Sequence, residues 1–424
     1  MTDAVGRPAL TDAVGRPALT DAVVPGQPRT DRTVLLVSFA EVFGGAERSL
    51  LTLARHLPDH GWVVVLLCPP GQLADAARAA GVRVVDLALT RHGKVGRGVG
   101  AAKRYSAAAA AGYVAAMASN AWKVARTARQ VDAALIHSNS LSSHLAVAVA
   151  GRLAGRPVLW HLREITRPGR GRAVLNAFGR SASGLVAISR AVAAVVHHEH
   201  IVIVANPVDE PPDHLTEAPW SIPKPVVGYL GRITPDKGVE DLVRAAAFID
   251  AHVVVVGAPP AGSSAHLDEL RELAEVTAPG RVHFVGGVTD PWQALAAMDV
   301  LVVPSRAEPW GRVAAEAQRA GVPVLAANAG GLPDIVTDRR DGLLFPPRDP
   351  EALGALLKEM LGDRVLREEL AAAGRTSAAR YDPSRHAAAM ADVFRRRSGG
   401  DAGAGRTDNG RTWWTRWSRV ARAR

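Results

Sequence analysis

Cysteine is almost absent: Cys68 is the only one in 424 residues, so neither a disulfide framework nor a thiolate metal set is available. No uninterrupted apolar run reaches the roughly 20 residues of a membrane span, and the least charged long stretch, 106–122, is mostly alanine. A charged start followed by an apolar block, the mark of a secretory signal, is missing from the N-terminus. The dinucleotide fingerprint Gly-x-Gly-x-x-Gly is missing from both halves, which disfavours a Rossmann dehydrogenase. No helix-turn-helix, zinc or stacking-platform motif accompanies the formal net charge of +10, so nucleic acid is not expected as a partner. Phosphorylated ligands and an anionic membrane surface remain as readings of that charge. These absences together point to a cytoplasmic enzyme, able to lie peripherally on the inner face of the plasma membrane.

What is present is a long chain that is 48% hydrophobic, enough for two domains with tails and too much for a single core. Residues 1–31 open with a repeat, Thr2-Asp3-Ala4-Val5-Gly6-Arg7-Pro8-Ala9-Leu10, copied at 11–19. Proline and glycine in each unit oppose regular structure, so this arm is expected to be disordered. Apolar runs at 33–38, 62–68, 82–89, 133–137, 157–162 and 184–189 alternate with helical periodicity, the pattern of a doubly wound parallel sheet over 32–208. A proline-dense linker covers 209–224. A second series of the same kind fills 225–381, and a last helix, 382–397, follows. The segment 398–424 is glycine-rich and ends in Trp413, Trp414 and Trp417 among arginines, a composition suited to a lipid headgroup boundary. A basic cluster (Arg91, Lys94, Arg97, Lys103, Arg104) precedes the alanine-rich segment, as a solvated loop or a lip for anionic lipid or a phosphorylated acceptor. His197, His198 and His200 diverge in direction at a helix end and are read as surface residues rather than metal ligands.

The richest stretch is 300–316. A buried strand at 300–303 ends at Pro304, a short loop follows, and a helix from 312 is stopped by Gly321 and Pro323. Open α/β sheets bind ligands at the carboxyl ends of their strands, where this loop must sit. Glu308 comes from the loop and Glu316 from the helix, while Gly311 lies at the helix N-terminus, where free amides favour an anion. Carboxylates flanking an anion pocket suit a ligand with hydroxyls and phosphate, as a sugar nucleotide has. Arg232 and Lys237 follow the first strand of the second domain and reach the same edge, where two cations would neutralise a diphosphate. Gly44 and Gly45 allow close backbone approach from the first domain. His161 and Glu164 lie at or just past a strand's carboxyl end, on the sheet edge where the other candidates gather.

These residues resemble the retaining glycosyltransferases of family 4, the group 1 glycosyltransferases. The resemblance spans about 34–397. It rests on Gly44-Gly45-Ala46-Glu47, Gly231-Arg232 with Lys237-Gly238, Glu308 with Glu316, Gly330-Gly331-Leu332-Pro333, His161 within Trp160-His161-Leu162-Arg163-Glu164, and Asn206-Pro207-Val208-Asp209. It implies a GT-B fold, two Rossmann-like doubly wound domains facing a central cleft. It implies that Glu308 holds the donor sugar and Glu316 the ribose, that Arg232 and Lys237 bind the diphosphate, that His161 stands on the acceptor side, and that the last helix, 382–397, crosses back to the first domain. Gly44, Gly45, Gly311, Arg312 and Val313 complete the donor set, with Arg312 standing where an apolar residue is common. The implied chemistry is transfer of a hexose from a UDP- or GDP-sugar with retained anomeric configuration and no metal cofactor. The acceptor is expected to be a lipid-linked or cell-envelope glycan, or else a soluble small molecule. A non-catalytic sugar-nucleotide-binding scaffold is the reading from another class.

Overall fold

The computed structural model describes residues 32–90, 96–97, 104–105, 107–198, 201–212, 220–288 and 290–399. The N-terminal repeat, most of the basic cluster at 91–104, His200, linker residues 213–219 and the tryptophan-bearing tail lie outside the described residues.

In chain order the strands are β1 (Arg32–Val37), β2 (Trp62–Cys68), β3 (Arg83–Asp86), β4 (Gly96–Arg97), β5 (Arg104–Tyr105), β6 (Ala133–Ser138), β7 (Val158–Leu162), β8 (Gly184–Ala187) and β9 (Ile201–Ile203). The second half contributes β10 (Val226–Leu230), β11 (His252–Val256), β12 (Val282–Gly286), β13 (Val300–Val303), β14 (Val324–Ala327) and β15 (Leu343–Phe345). They form a seven-stranded sheet in the order β3-β2-β1-β6-β7-β8-β9 and a six-stranded sheet in the order β12-β11-β10-β13-β14-β15. Every pairing within the two sheets is parallel. Fully parallel sheets need helices on both faces, which is why their strands read as unbroken apolar runs such as 253–256, all valine and all fully buried.

Each sheet reverses its winding once, between β1 and β6 and between β10 and β13. A crevice opens outside the carboxyl ends of the strands at such a reversal. The loops placed there are those carrying Gly44-Gly45, Asn139, Arg232 with Lys237, and Glu308.

The chain crosses between the sheets twice, at 204–212 and at 379–382, and Val208 N–H donates to Tyr381 carbonyl at 2.8 Å to tie the crossings together. The helix Pro383–Arg397 then returns to the first sheet. Its Ala387, Met390, Ala391 and Phe394 are buried with Leu36, Leu66, Leu135 and Leu159, and Phe394 meets Trp62 edge-on at 5.4 Å. Such aromatic pairs contribute about 0.5–1.5 kcal/mol beyond their area burial. Among the described residues no helix is long and apolar enough to cross a membrane.

Candidate active site in the interdomain cleft

Lys237 and Glu308 meet at the crevice. Lys237 ends a short turn, Pro235–Lys237, and Glu308 lies in the loop after β13. Lys237 Nζ and Glu308 Oε2 are 2.6 Å apart, with only 17% and 13% of their side chains exposed. Ser305 Oγ donates to the same carboxylate oxygen at 3.1 Å. This half-sheltered pair keeps an ammonium and a carboxylate at the crevice. Arg232 is exposed on the loop after β10, and its carbonyl accepts from Tyr229 hydroxyl at 2.6 Å. Its charge acts on Glu164 of the opposite domain: burial and the neighbouring Glu47 push the Glu164 carboxyl up, and Arg232 opposes them.

The loop carrying Glu308 is braced from behind. Gly331 N–H donates to Glu308 carbonyl at 2.7 Å, and Gly330 sits at φ 60°, where a Cβ would collide with that carbonyl. The Gly330-Gly331 loop therefore serves as a support for the donor loop. Gly311, at φ 104°, has no room either, since a Cβ would stand 2.5 Å from Leu332 Cδ2.

Gly311 N-caps the helix Arg312–Ala320. Arg312 Nε donates to Glu316 Oε1 at 2.7 Å one turn on. Its Nη1 donates at 3.0 Å both to Ser49 Oγ and to Pro207 carbonyl, partners in the first domain and the crossing. Gly45 lies directly under it, where a Cβ would be 3.7 Å from Arg312 Cδ. Gly44 N–H is engaged by Glu47 Oε2 at 3.1 Å, so any phosphate there meets the following amides of the helix Gly45–His56. Val313 is half-buried on the second residue of the Glu316 helix.

His161 stands near the carboxyl end of its strand, as expected, but is not exposed to the cleft. It lies inside β7, paired with Val186, and is fully buried; the sheet edge comes two residues later, at Arg163 and Glu164. Its Nδ1 lies 3.2 Å from His137 Nε2 and 3.3 Å from Arg163 Nη2. A guanidinium cannot accept, so Nδ1 must, and the proton sits on Nε2, which is buried without a partner. Burial first, then the Arg163 charge, holds its pKa well below the usual histidine value. His161 thus stands behind Arg163 as a neutral ring, and its acceptor-side role rests on the resemblance alone.

Arg163 is the residue that the sequence reading passed over. It donates to Asn139 Oδ1 at 2.7 Å and Asn206 Oδ1 at 2.6 Å, tying the edge of the first sheet to the crossing. Burial lowers its pKa to about 9 while Glu47 raises it, so it stays charged at neutral pH. Its neighbour in the Trp160–Glu164 motif was the only signal available. Ser305 and Ser49 were missed as well, being ordinary serines whose partners are distant in sequence. Among the described residues no group of three or more His, Cys, Asp or Glu side chains could hold a metal ion.

Two family models match the chain side by side, Glycosyltransferase Family 4 over residues 43–210 and Glycosyl transferases group 1 over residues 216–377. The chain belongs to this glycosyltransferase family. Among curated relatives of this glycosyltransferase is the D-inositol 3-phosphate glycosyltransferase of Jonesia denitrificans, 37% identical over 186 residues, 40% of this chain and 43% of the relative. The protein of that name in Mycolicibacterium gilvum is 40% identical over 139 residues, 32% of this chain and 31% of the relative. The matched stretch therefore spans less than half the length of either relative. In overall fold the chain is similar to HepE from Anabaena in complex with UDP and glucose, with a TM-score of 0.72 at 23% identity, covering 86% of this chain and 100% of that one. Sucrose-phosphate synthase from Thermosynechococcus elongatus follows with a TM-score of 0.68 at 23% identity, covering 87% and 100%. The fold is GT-B, with two Rossmann-like parallel-sheet domains facing a central cleft.

Proposed function

We propose that the protein is a retaining, metal-independent glycosyltransferase that moves a hexose from a UDP- or GDP-sugar to an acceptor hydroxyl. The observation that carries this reading is the Lys237–Glu308 pair at 2.6 Å, buttressed by Ser305, on the crevice edge that also bears Arg232, with Glu316 on the helix that follows the Glu308 loop. In this reading Arg232 and Lys237 stabilise the negative charge that grows on the leaving nucleoside diphosphate. Glu308 holds hydroxyls of the donor sugar and Glu316 those of the ribose. The first turns of the helices Gly45–His56 and Arg312–Ala320 offer amides to the phosphates.

The bond from the anomeric carbon to the phosphate oxygen breaks as the acceptor oxygen bonds to the same face, and the leaving phosphate takes the acceptor proton. No carboxylate is assigned as a covalent nucleophile. A glycosylated carboxylate trapped on the enzyme would refute this same-face course.

A small hydroxylated acceptor is preferred, which reverses the order expected from the sequence. The relatives named for D-inositol 3-phosphate support it, and Glu164, exposed just past the end of β7, suits hydroxyl recognition. A lipid-linked or envelope glycan is the second reading; it draws on the tryptophan–arginine tail, and salt-sensitive liposome binding lost on deleting 398–424 would favour it.

The deciding experiment is a panel of nucleotide sugars with EDTA present, read by thermal shift and slow donor hydrolysis. A shift with one donor and its hydrolysis are expected. A shift without hydrolysis or transfer would point to the non-catalytic scaffold, and strict dependence on Mg²⁺ would contradict the cation-pair reading.

A further inference from the structure

The crossing 206–210 is held by three arginines. Arg163 of the first domain takes Asn206, while Arg312 and Arg319, both from the helix Arg312–Ala320, take Pro207 and Glu210. Arg312 also lies 3.7 Å from Asp209, and Arg319 donates to Ala378 carbonyl at 3.2 Å, beside the second crossing. Glu316 sits on the same helix between the two arginines and is 7% exposed. Its Oε1 is taken by Arg312, which leaves Oε2 for a ligand. A planar guanidinium can serve a carboxylate through Nε while its other nitrogens reach elsewhere, which a lysine cannot do.

We propose that Arg312 is a positioning residue that joins the carboxylate of Glu316 to the crossing 206–210 and to the helix Gly45–His56, so that one side chain sets both the grip on the donor's ribose and the approach of the two domains. This rests on the reading of Glu316 as the ribose-holding group. Because Arg312 fixes one carboxylate oxygen, the other presents a defined lone pair to a ribose hydroxyl. Because its Nη1 is anchored on Ser49 and Pro207, that orientation depends on the first domain being in place.

The test is ribose discrimination. Affinities for UDP and 2′-deoxy-UDP, with GDP and 2′-deoxy-GDP in parallel, are measured by calorimetry for the wild-type chain, Arg312→Leu, Arg312→Lys and Ser49→Ala. The wild type is expected to favour the ribonucleotide about tenfold or more, as a hydrogen bond to a charged group implies. Arg312→Leu should bring the ratio to within about twofold, and Arg312→Lys should recover only part of it. Ser49→Ala should weaken binding with a smaller loss of ratio. A ratio in Arg312→Leu equal to that of the wild type overturns the proposal even if both affinities fall, since a merely structural loss lowers them together. If Arg312→Leu does not fold, Arg312→Lys decides by the same criterion, an undiminished ratio overturning the proposal. Failure of the wild type to bind either nucleotide would overturn the donor-site reading and this inference with it; binding with an unchanged ratio overturns this inference alone.

Discussion

The two sheets treat their polar side chains in opposite ways. Under the first sheet, His137, His144, His161 and His386 are all buried with at most 4% exposure, and burial leaves their rings neutral. His144 stacks on Trp160 at 4.8 Å, and His386, on the returning helix, faces Ala205 carbonyl at 2.8 Å. At the edge of the second sheet the polar groups are charged, paired and reachable, as Lys237 and Glu308 show. The first sheet buries its imidazoles as packing and as a backing for Arg163, whereas the loop edge of the second holds the Lys237–Glu308 ion pair at the crevice.

The largest expected effect probes the scaffold side. Phe394→Ala empties a fully buried aromatic site between the returning helix and the first sheet, which should cost about 3–5 kcal/mol of stability. Chemical denaturation would measure it, and nucleotide affinity of the folded fraction should stay near the wild-type value. Loss of nucleotide binding in the folded fraction would blur the division between the halves.

Lys237→Ala should do the reverse. It removes one charge from the proposed leaving-group site and should lower kcat/KM by a factor corresponding to about 2–4 kcal/mol of transition-state stabilisation. Steady-state kinetics with the donor identified by the panel would check this.

Much of this comparison was legible in the sequence, and particular residues show where it stopped. The strand 62–68 is as expected because its apolar run is bounded by Gly61 and a proline pair. The helix after β8 covers only Arg190–Ala193, and Val196 is buried beyond its end. The helix Arg170–Gly179 was not expected, its arginines and glycines masking any apolar period, and β15 is too short to give a pattern. On the donor side, residue type and spacing after parallel strands sufficed to bring Lys237 to Glu308. The contacts of Arg312 were not readable, because Ser49 and Pro207 lie far away along the chain. Nor was the burial of His161, which depends on the helix Pro383–Arg397 closing over its face of the sheet.

Acidification should sharpen the contrast further. Burial depresses His144 and His386 to about 3, and His137 and His161 are shifted in the same direction. The native state therefore binds fewer protons than the unfolded chain below the unfolded value near 6.5. Stability is intact above that pH and falls as pH drops towards 3, by up to about 1.4 kcal/mol per pH unit for each histidine. Hydrogen exchange at pH 7 and pH 5 should show protection lost in β6, β7 and the returning helix before β10 and β13.

His161→Gln is the smallest expected effect on chemistry. An amide of similar reach can still accept from Arg163, so kcat/KM should change by less than about tenfold and the kcat–pH profile should keep its shape. A loss of the basic or acidic limb of that profile would return His161 to the reacting groups.

The most direct check is calorimetry of UDP and GDP binding to the wild-type chain and to the double variant Arg232→Ala/Lys237→Ala in the presence of EDTA. A donor site built from these two cations predicts measurable binding of one nucleotide by the wild type, weakened about a hundredfold or more in the double variant. Equal affinity in the two proteins would contradict it.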